Sequence, residues 1–222
     1  MISAVLFDLD ETLLNRTASV TAFLKNQHQR FADDLGKVTV DAWSRRFLEL
    51  DRRGHVSKAV VYPAILREFG GNEARAAVLF DDYKKRCCLF AQAFPDMRAV
   101  LMGLRARGLK LGVVTNGEVA IQMSNIKALD LQALVDAILI SEEEGVRKPD
   151  IAMFHRAAMR LAVPPQECLF VGDNPEADIA GAHRAGMMTA WFDQKGIWPL
   201  TELRPRHILK RLSEIMTLVL AQ

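Results

Sequence analysis

From Leu109 onward, apolar runs of strand length alternate with amphipathic stretches of helix length. Leu111 to Thr115, Ala137 to Ser141, Cys168 to Gly172 and Met188 to Phe192 are almost continuously apolar, the pattern of strands covered on both faces. Between them, Glu118 to Ala128, Ile151 to Leu161 and Pro175 to Ala185 repeat apolar residues at helical spacing, and Asp150 is placed to cap the second of these. Strand, helix, strand repeated in this way predicts an α/β fold, a doubly wound parallel sheet. A short run, Ala4 to Phe7, supplies a first strand, and Ile208 to Leu220 reads as a closing amphipathic helix.

The segment from Asn15 to Phe90 follows a different pattern. It lacks strand-like runs and shows four amphipathic helical stretches, broken near Gly36 to Thr39, at Gly54 and at Gly70 and Gly71. An all-helical domain, residues 15–90, is therefore expected as an insertion after the first strand. The sheet domain is then discontinuous, made of residues 1–14 and 91–222.

Composition narrows the function classes. Of 222 residues, 50% are hydrophobic and 25% charged, enough apolar material for a large core. Lysine and arginine total 29 against 27 acids, a formal charge of +2, so no strong field suggests nucleic-acid binding. No apolar run reaches bilayer length and no leader pattern precedes the first strand, so a cytoplasmic protein without a membrane partner is expected. Cys87, Cys88 and Cys168 offer neither a disulfide framework nor zinc spacing, and the five histidines are scattered.

The chemistry should lie where an open parallel sheet binds ligands, outside the carboxyl ends of its strands. The first strand ends in Asp8 Leu9 Asp10 Glu11 Thr12. Strand alternation would aim both aspartates at one face, where two like charges repel and lose hydration unless something positive sits between them. The plain alternative is a solvated turn with capping acids. The second strand ends in Thr115 Asn116 Gly117, the fourth in Gly172 Asp173 Asn174, and the loop Gly145 to Asp150 presents Lys148, held extended by the following proline. Oxygen ligands from Asp8, Asp10 and Asp173 suit Mg²⁺. Thr115, nearby backbone N–H groups and Lys148 make a cradle for an oxyanion. A metal, an anion cradle and a free carboxylate together imply phosphoryl transfer to aspartate. Asp178 either holds metal-bound waters or serves only as a helix-dipole partner.

These four segments, in this order, resemble the haloacid dehalogenase-like hydrolase superfamily: Asp8 to Thr12, Thr115 Asn116, Lys148 Pro149 Asp150, and Gly172 to Asp178. The inserted helical segment is similar to the cap of the subgroup related to phosphoglycolate phosphatase and pyrimidine nucleotidase. The resemblance implies a Rossmann-like core with a helical cap domain that closes over the crevice. It also implies that Asp8 attacks phosphorus to form a phosphoaspartate, and that Asp10 protonates the leaving alcohol and then deprotonates water. Asp8, the Asp10 backbone carbonyl and Asp173 would hold Mg²⁺, with Thr115 and Asn116 at the phosphoryl group and Lys148 neutralising charge. The dehalogenase branch lacks an acid at the place of Asp10, which argues for phosphate esters. Glu11 departs from the glycine common at that place, an influence on the turn rather than on the chemistry.

The expected activity is thus Mg²⁺-dependent hydrolysis of a small phosphorylated metabolite, of nucleotide, sugar phosphate or phosphoglycolate type. A phosphomutase of the same family, or a non-catalytic phosphate-binding domain, are the alternatives. Arg45, Arg46, Arg52, Arg53, His55 and Lys58 surround the break at Gly54, and Arg52, Arg53 and Lys58 are candidates to touch substrate. The same residues also read as a solvated helix face balanced by Glu49 and Asp51. Asn15 and Arg16 either line the entrance or act as hinges. Oligomeric state is not legible in the pattern.

Overall fold

A computed structural model describes residues 1–193, 196, 198–201 and 203–220. The chain divides into two compact units, Met1–Asn15 with Ala93–Gln222, and Arg16–Gln92.

The first unit is built on a six-stranded sheet: β1 (Ala4–Phe7), β2 (Lys110–Thr115), β3 (Ala137–Ile140), β4 (Cys168–Gly172), β5 (Met188–Phe192) and β6 (His207–Leu209). Its order is β3-β2-β1-β4-β5-β6 and every pairing is parallel. The central strands are buried at almost every position, as their apolar continuity predicts. On one face, Leu6, Leu139 and Phe170 pack with Met153, Phe154 and Leu161 of the helix α8 (Ile151–Leu161). Phe154 and Phe170 meet edge to face at 5.0 Å. Asp150 caps α8, accepting from the Ala152 N–H at 2.9 Å. Helix α5 (Met97–Ala106) packs against β2, and α10 (Ile215–Leu220) against α5.

Two expectations need correction here. The stretch read as one closing helix opens with β6, which pairs with β5 before α10 begins. A strand of three residues is too short for its alternation to show in sequence. The stretch Pro175 to Ala185 is not a plain α-helix: Pro175–Ala180 is a π turn, and only Gly181–Arg184 (α9) is α-helical.

The second unit is all-helical: α1 (Arg16–Arg30), α2 (Val40–Asp51), α3 (Lys58–Phe69) and α4 (Ala76–Arg86). Thr39 and Ser57 cap α2 and α3, and Gly70, in the left-handed region at φ 68°, ends α3. The core is aromatic. Phe47 lies 5.2 Å from Tyr62, and Phe23 meets Tyr83 edge to face at 5.4 Å. Gln27, fully buried, accepts from the Tyr62 hydroxyl and donates to the Leu79 carbonyl and to Asp82. The three cysteines are free thiols. Burial pushes Cys87 up to about 12 and Cys168 up to about 11, so both are held as unreactive thiols. Among the described residues no helix is long and apolar enough to cross a membrane.

Candidate active site

Asp8 follows β1 directly, and its N–H still donates to the Val171 carbonyl at 2.9 Å, so the sheet ladder fixes where its carboxylate emerges. The ladder then stops. The Leu9 carbonyl accepts from the N–H groups of Thr12, Leu13 and Leu14, Asp10 makes a lone bridge to Leu14, and Glu11 takes a left-handed φ of 59°. Asp10 is therefore aimed by a tight turn and not by the alternation of a continuing strand, which corrects the sequence expectation. The left-handed conformation costs a non-glycine residue about 1–3 kcal/mol, offset here by the burial of Leu9, Leu13 and Leu14.

Lys148 brings the acids together. Its Nζ lies 2.6 Å from Asp8 Oδ1 and 2.7 Å from Asp178 Oδ1, and all three side chains are buried. The Asn116 amide holds the lysine backbone in two directions, donating to the Lys148 carbonyl and accepting from its N–H, both at 2.9 Å. The Lys148–Pro149 peptide is cis, and the Asn116 side chain, expected to meet substrate, also bonds the lysine backbone.

The turn after β4 sets the third acid. Asn174 Oδ1 accepts from the N–H groups of Glu176 and Ala177, and the Asn174 N–H donates to Asp178 Oδ2 at 2.9 Å. Gly172 is required at the strand end, because a Cβ there would lie 2.4 Å from Asp178 Oδ2. The Asp173 carbonyl is anchored by the Trp191 indole N–H at 2.9 Å.

Carboxylate oxygens of Asp8, Asp173 and Asp178 lie within 4.8 Å of one another. Burial is the main reason the Asp8 carboxyl is pushed well above its ordinary range; Lys148 pulls it down, and Asp178, Asp173 and Asp10 push it further up. Burial alone would lower the Lys148 ammonium, but Asp178 and Asp8 outweigh it and hold it above the ordinary lysine range. The lysine stays charged and the acids remain in excess. A hard, oxygen-only donor set with surplus negative charge fits a small divalent cation such as Mg²⁺.

Thr115, 1% exposed, ends β2, and its Oγ1 accepts from Gln122 Nε2 at 2.7 Å. Gln122, outside the four polar segments, lies in α6 (Val119–Ala128) and also donates to Asp10 Oδ2 at 2.9 Å. The signal available was a polar side chain one turn past a strand end, among Val119, Ile121 and Ile126. In the helical unit, Lys58 is buried and bound to Asp51 at 2.8 Å, Arg46 pairs with Glu49 and Glu68, and Arg52 and Arg53 are exposed in left-handed conformations. The basic residues near Gly54 thus do not all share one environment.

Comparison with known proteins identifies the family. The family model for haloacid dehalogenase-like hydrolase matches residues 2–186. A protein named glyceraldehyde 3-phosphate phosphatase from Methanopyrus kandleri is 32% identical, over 85% of this chain and 83% of its own. One named ribulose-1,5-bisphosphate 5-phosphatase from Halopiger xanaduensis is 31% identical, over 96% and 94%. Among solved structures, a 2-haloacid dehalogenase from Pseudomonas syringae superimposes with a TM-score of 0.67 at 28% identity, covering 100% of this chain and 99% of that one. The chain belongs to the haloacid dehalogenase-like hydrolases, and its parallel α/β sheet is the fold of that family.

Proposed function

We propose that this hydrolase is a Mg²⁺-dependent phosphomonoesterase that works through a phosphoaspartate on Asp8. Relatives spanning most of the chain are named phosphatases, and this chain is a phosphatase of the same family. The observation that carries the mechanism is the separation of two neighbouring carboxylates by their partners: Asp8 is held by Lys148, Asp10 by Gln122. Two acids in different surroundings suit two different roles. Asp8 attacks phosphorus and becomes an acyl phosphate as the ester bond breaks. Asp10 gives its proton to the departing alkoxide, and afterwards takes one from the water that cleaves the acyl phosphate. Lys148 balances charge on Asp8 and on the transferring group, and the Thr115 hydroxyl binds a phosphoryl oxygen. Asp8, Asp173 and the Asp10 carbonyl would hold Mg²⁺, which supplies charge neutralisation at the phosphoryl oxygens. Asp178 positions Lys148. The substrate is a small phosphorylated metabolite, and the sugar-phosphate names of the relatives favour that class within it.

The test is release of inorganic phosphate from a panel of phosphomonoesters. Asp8→Asn should lower turnover by at least about 10⁴-fold, and removal of divalent cations should abolish it. Turnover that survives either change defeats the mechanism. Isomerised sugar phosphate without free phosphate would make the protein a phosphomutase.

A further inference from the structure

Gln122 is only 3% exposed and is the fourth residue of α6. Its Nε2 faces three acceptors: Asp10 Oδ2 at 2.9 Å, Thr115 Oγ1 at 2.7 Å and the Asn116 carbonyl at 3.2 Å. A carboxylate and a peptide carbonyl only accept, so the amide can face them only with its nitrogen. Because Thr115 Oγ1 takes one of those N–H groups, its own hydrogen is left to donate. Its contact to the Asn116 carbonyl, at 3.5 Å, is too long to hold that hydrogen. On Asp10 the clamp is one-sided: Oδ2 is occupied, while Oδ1 is buried and has no hydrogen-bond partner among the described residues. The backbone makes room for the arrangement. Gly117 has φ 150°, and a Cβ there would lie 2.9 Å from Gln122 Cγ.

We infer that Gln122 is a positioning residue of the reaction, fixing Asp10 so that Oδ1 is the oxygen that transfers the proton and turning the Thr115 hydroxyl toward the phosphoryl group. This rests on the phosphomonoesterase reading above. A freely rotating carboxyl would present either oxygen in many directions, and a proton-transfer partner must sit within hydrogen-bond reach of the leaving oxygen. The clamp removes that freedom without touching substrate.

Leaving groups provide the test. An alkyl phosphate expels a poor leaving group that needs the proton of Asp10, whereas p-nitrophenyl phosphate expels a stabilised phenolate that needs it little. The kcat/KM values for glycerol phosphate and p-nitrophenyl phosphate are compared in the wild type and in Gln122→Leu, with thermal unfolding measured alongside. The expected result is a loss of about 10- to 100-fold on the alkyl ester and a loss at least several-fold smaller on the aryl ester. If the leucine variant does not fold, Gln122→Asn, which keeps the amide and shortens its reach, should shift the same ratio in the same direction. An alkyl-to-aryl ratio unchanged from wild type in the folded variant overturns the role of Gln122 alone. Failure of the wild type to release phosphate from any monoester overturns the phosphomonoesterase reading, and this inference with it.

Discussion

Each unit buries a cluster of three charges, and the two clusters are mirror images. In the sheet unit one cation, Lys148, sits between two carboxylates, Asp8 and Asp178, at 2.6 and 2.7 Å. In the helical unit one carboxylate, Asp51, sits between two cations, Arg16 and Lys58, at 2.7 and 2.8 Å. Asp51 also closes the turn after α2, its Oδ2 accepting from the Gly54 N–H at 2.8 Å. The acidic cluster holds further charge: Asp173 brings a third carboxylate within 4.8 Å and Asp10 adds its field. A buried ion pair is a poor source of stability, because desolvation cancels most of the attraction. The Asp51 cluster, with cations in excess, fixes local geometry, whereas the acidic cluster, with carboxylates in excess, offers oxygen donors to a cation.

The difference can be broken chemically, because carboxyl groups can take up protons and a guanidinium cannot release one. Lys148→Met should abolish turnover and destabilise the fold at neutral pH by about 3–5 kcal/mol, the cost of leaving buried charge unpaired. That loss should shrink as pH falls and the acids become protonated. Asp51→Ala should also cost about 3–5 kcal/mol, but without that relief, because Arg16 stays charged throughout. Denaturant unfolding of both variants at several pH values checks the contrast. Equal pH dependence would show that the two clusters are electrostatically alike.

A smaller effect sharpens the same point. The folded-state pKa of Asp8 is raised above its ordinary value of 3.8, so the stability it contributes is present below that value and lost as pH rises through the raised one. Without divalent cations the wild type should lose stability as pH rises above that ordinary value, and Asp8→Asn should flatten that fall. Mg²⁺ at about 100 times its dissociation constant should add about 2.7 kcal/mol at neutral pH, and the addition should vanish in Asp173→Asn. Thermal unfolding with and without the cation reads both. A shift that persists in Asp173→Asn would place the cation elsewhere.

Much of this was legible in the chain. The parallel strands show as continuous apolar runs because both their faces are covered, and the polar residues that interrupt them at Asp8, Thr115 and Asp173 stand at the strand ends. What was not legible depends on partners distant in sequence. Lys58 reads as a basic helix residue like any other, yet it is buried against Asp51. Asn116 reads as a ligand-binding residue in a strand-end loop, and its amide also holds the backbone of Lys148, 32 residues away. Strand β6 is too short to carry a period and exists because β5 offers it an edge.

Strands β1 to β5, the helical insertion, the four polar segments and the chemical types of their side chains can be read from the chain alone, since periodicity and residue identity are local properties. Which oxygen faces which nitrogen is set by contacts distant in the chain: Lys148 joins Asp8 to Asp178, a turn through Glu11 aims Asp10, and Gln122, 112 residues from Asp10, holds its carboxylate. Hydrogen bonds and buried charges act over a few ångströms of space, and folding sets those distances with no regard to separation along the chain.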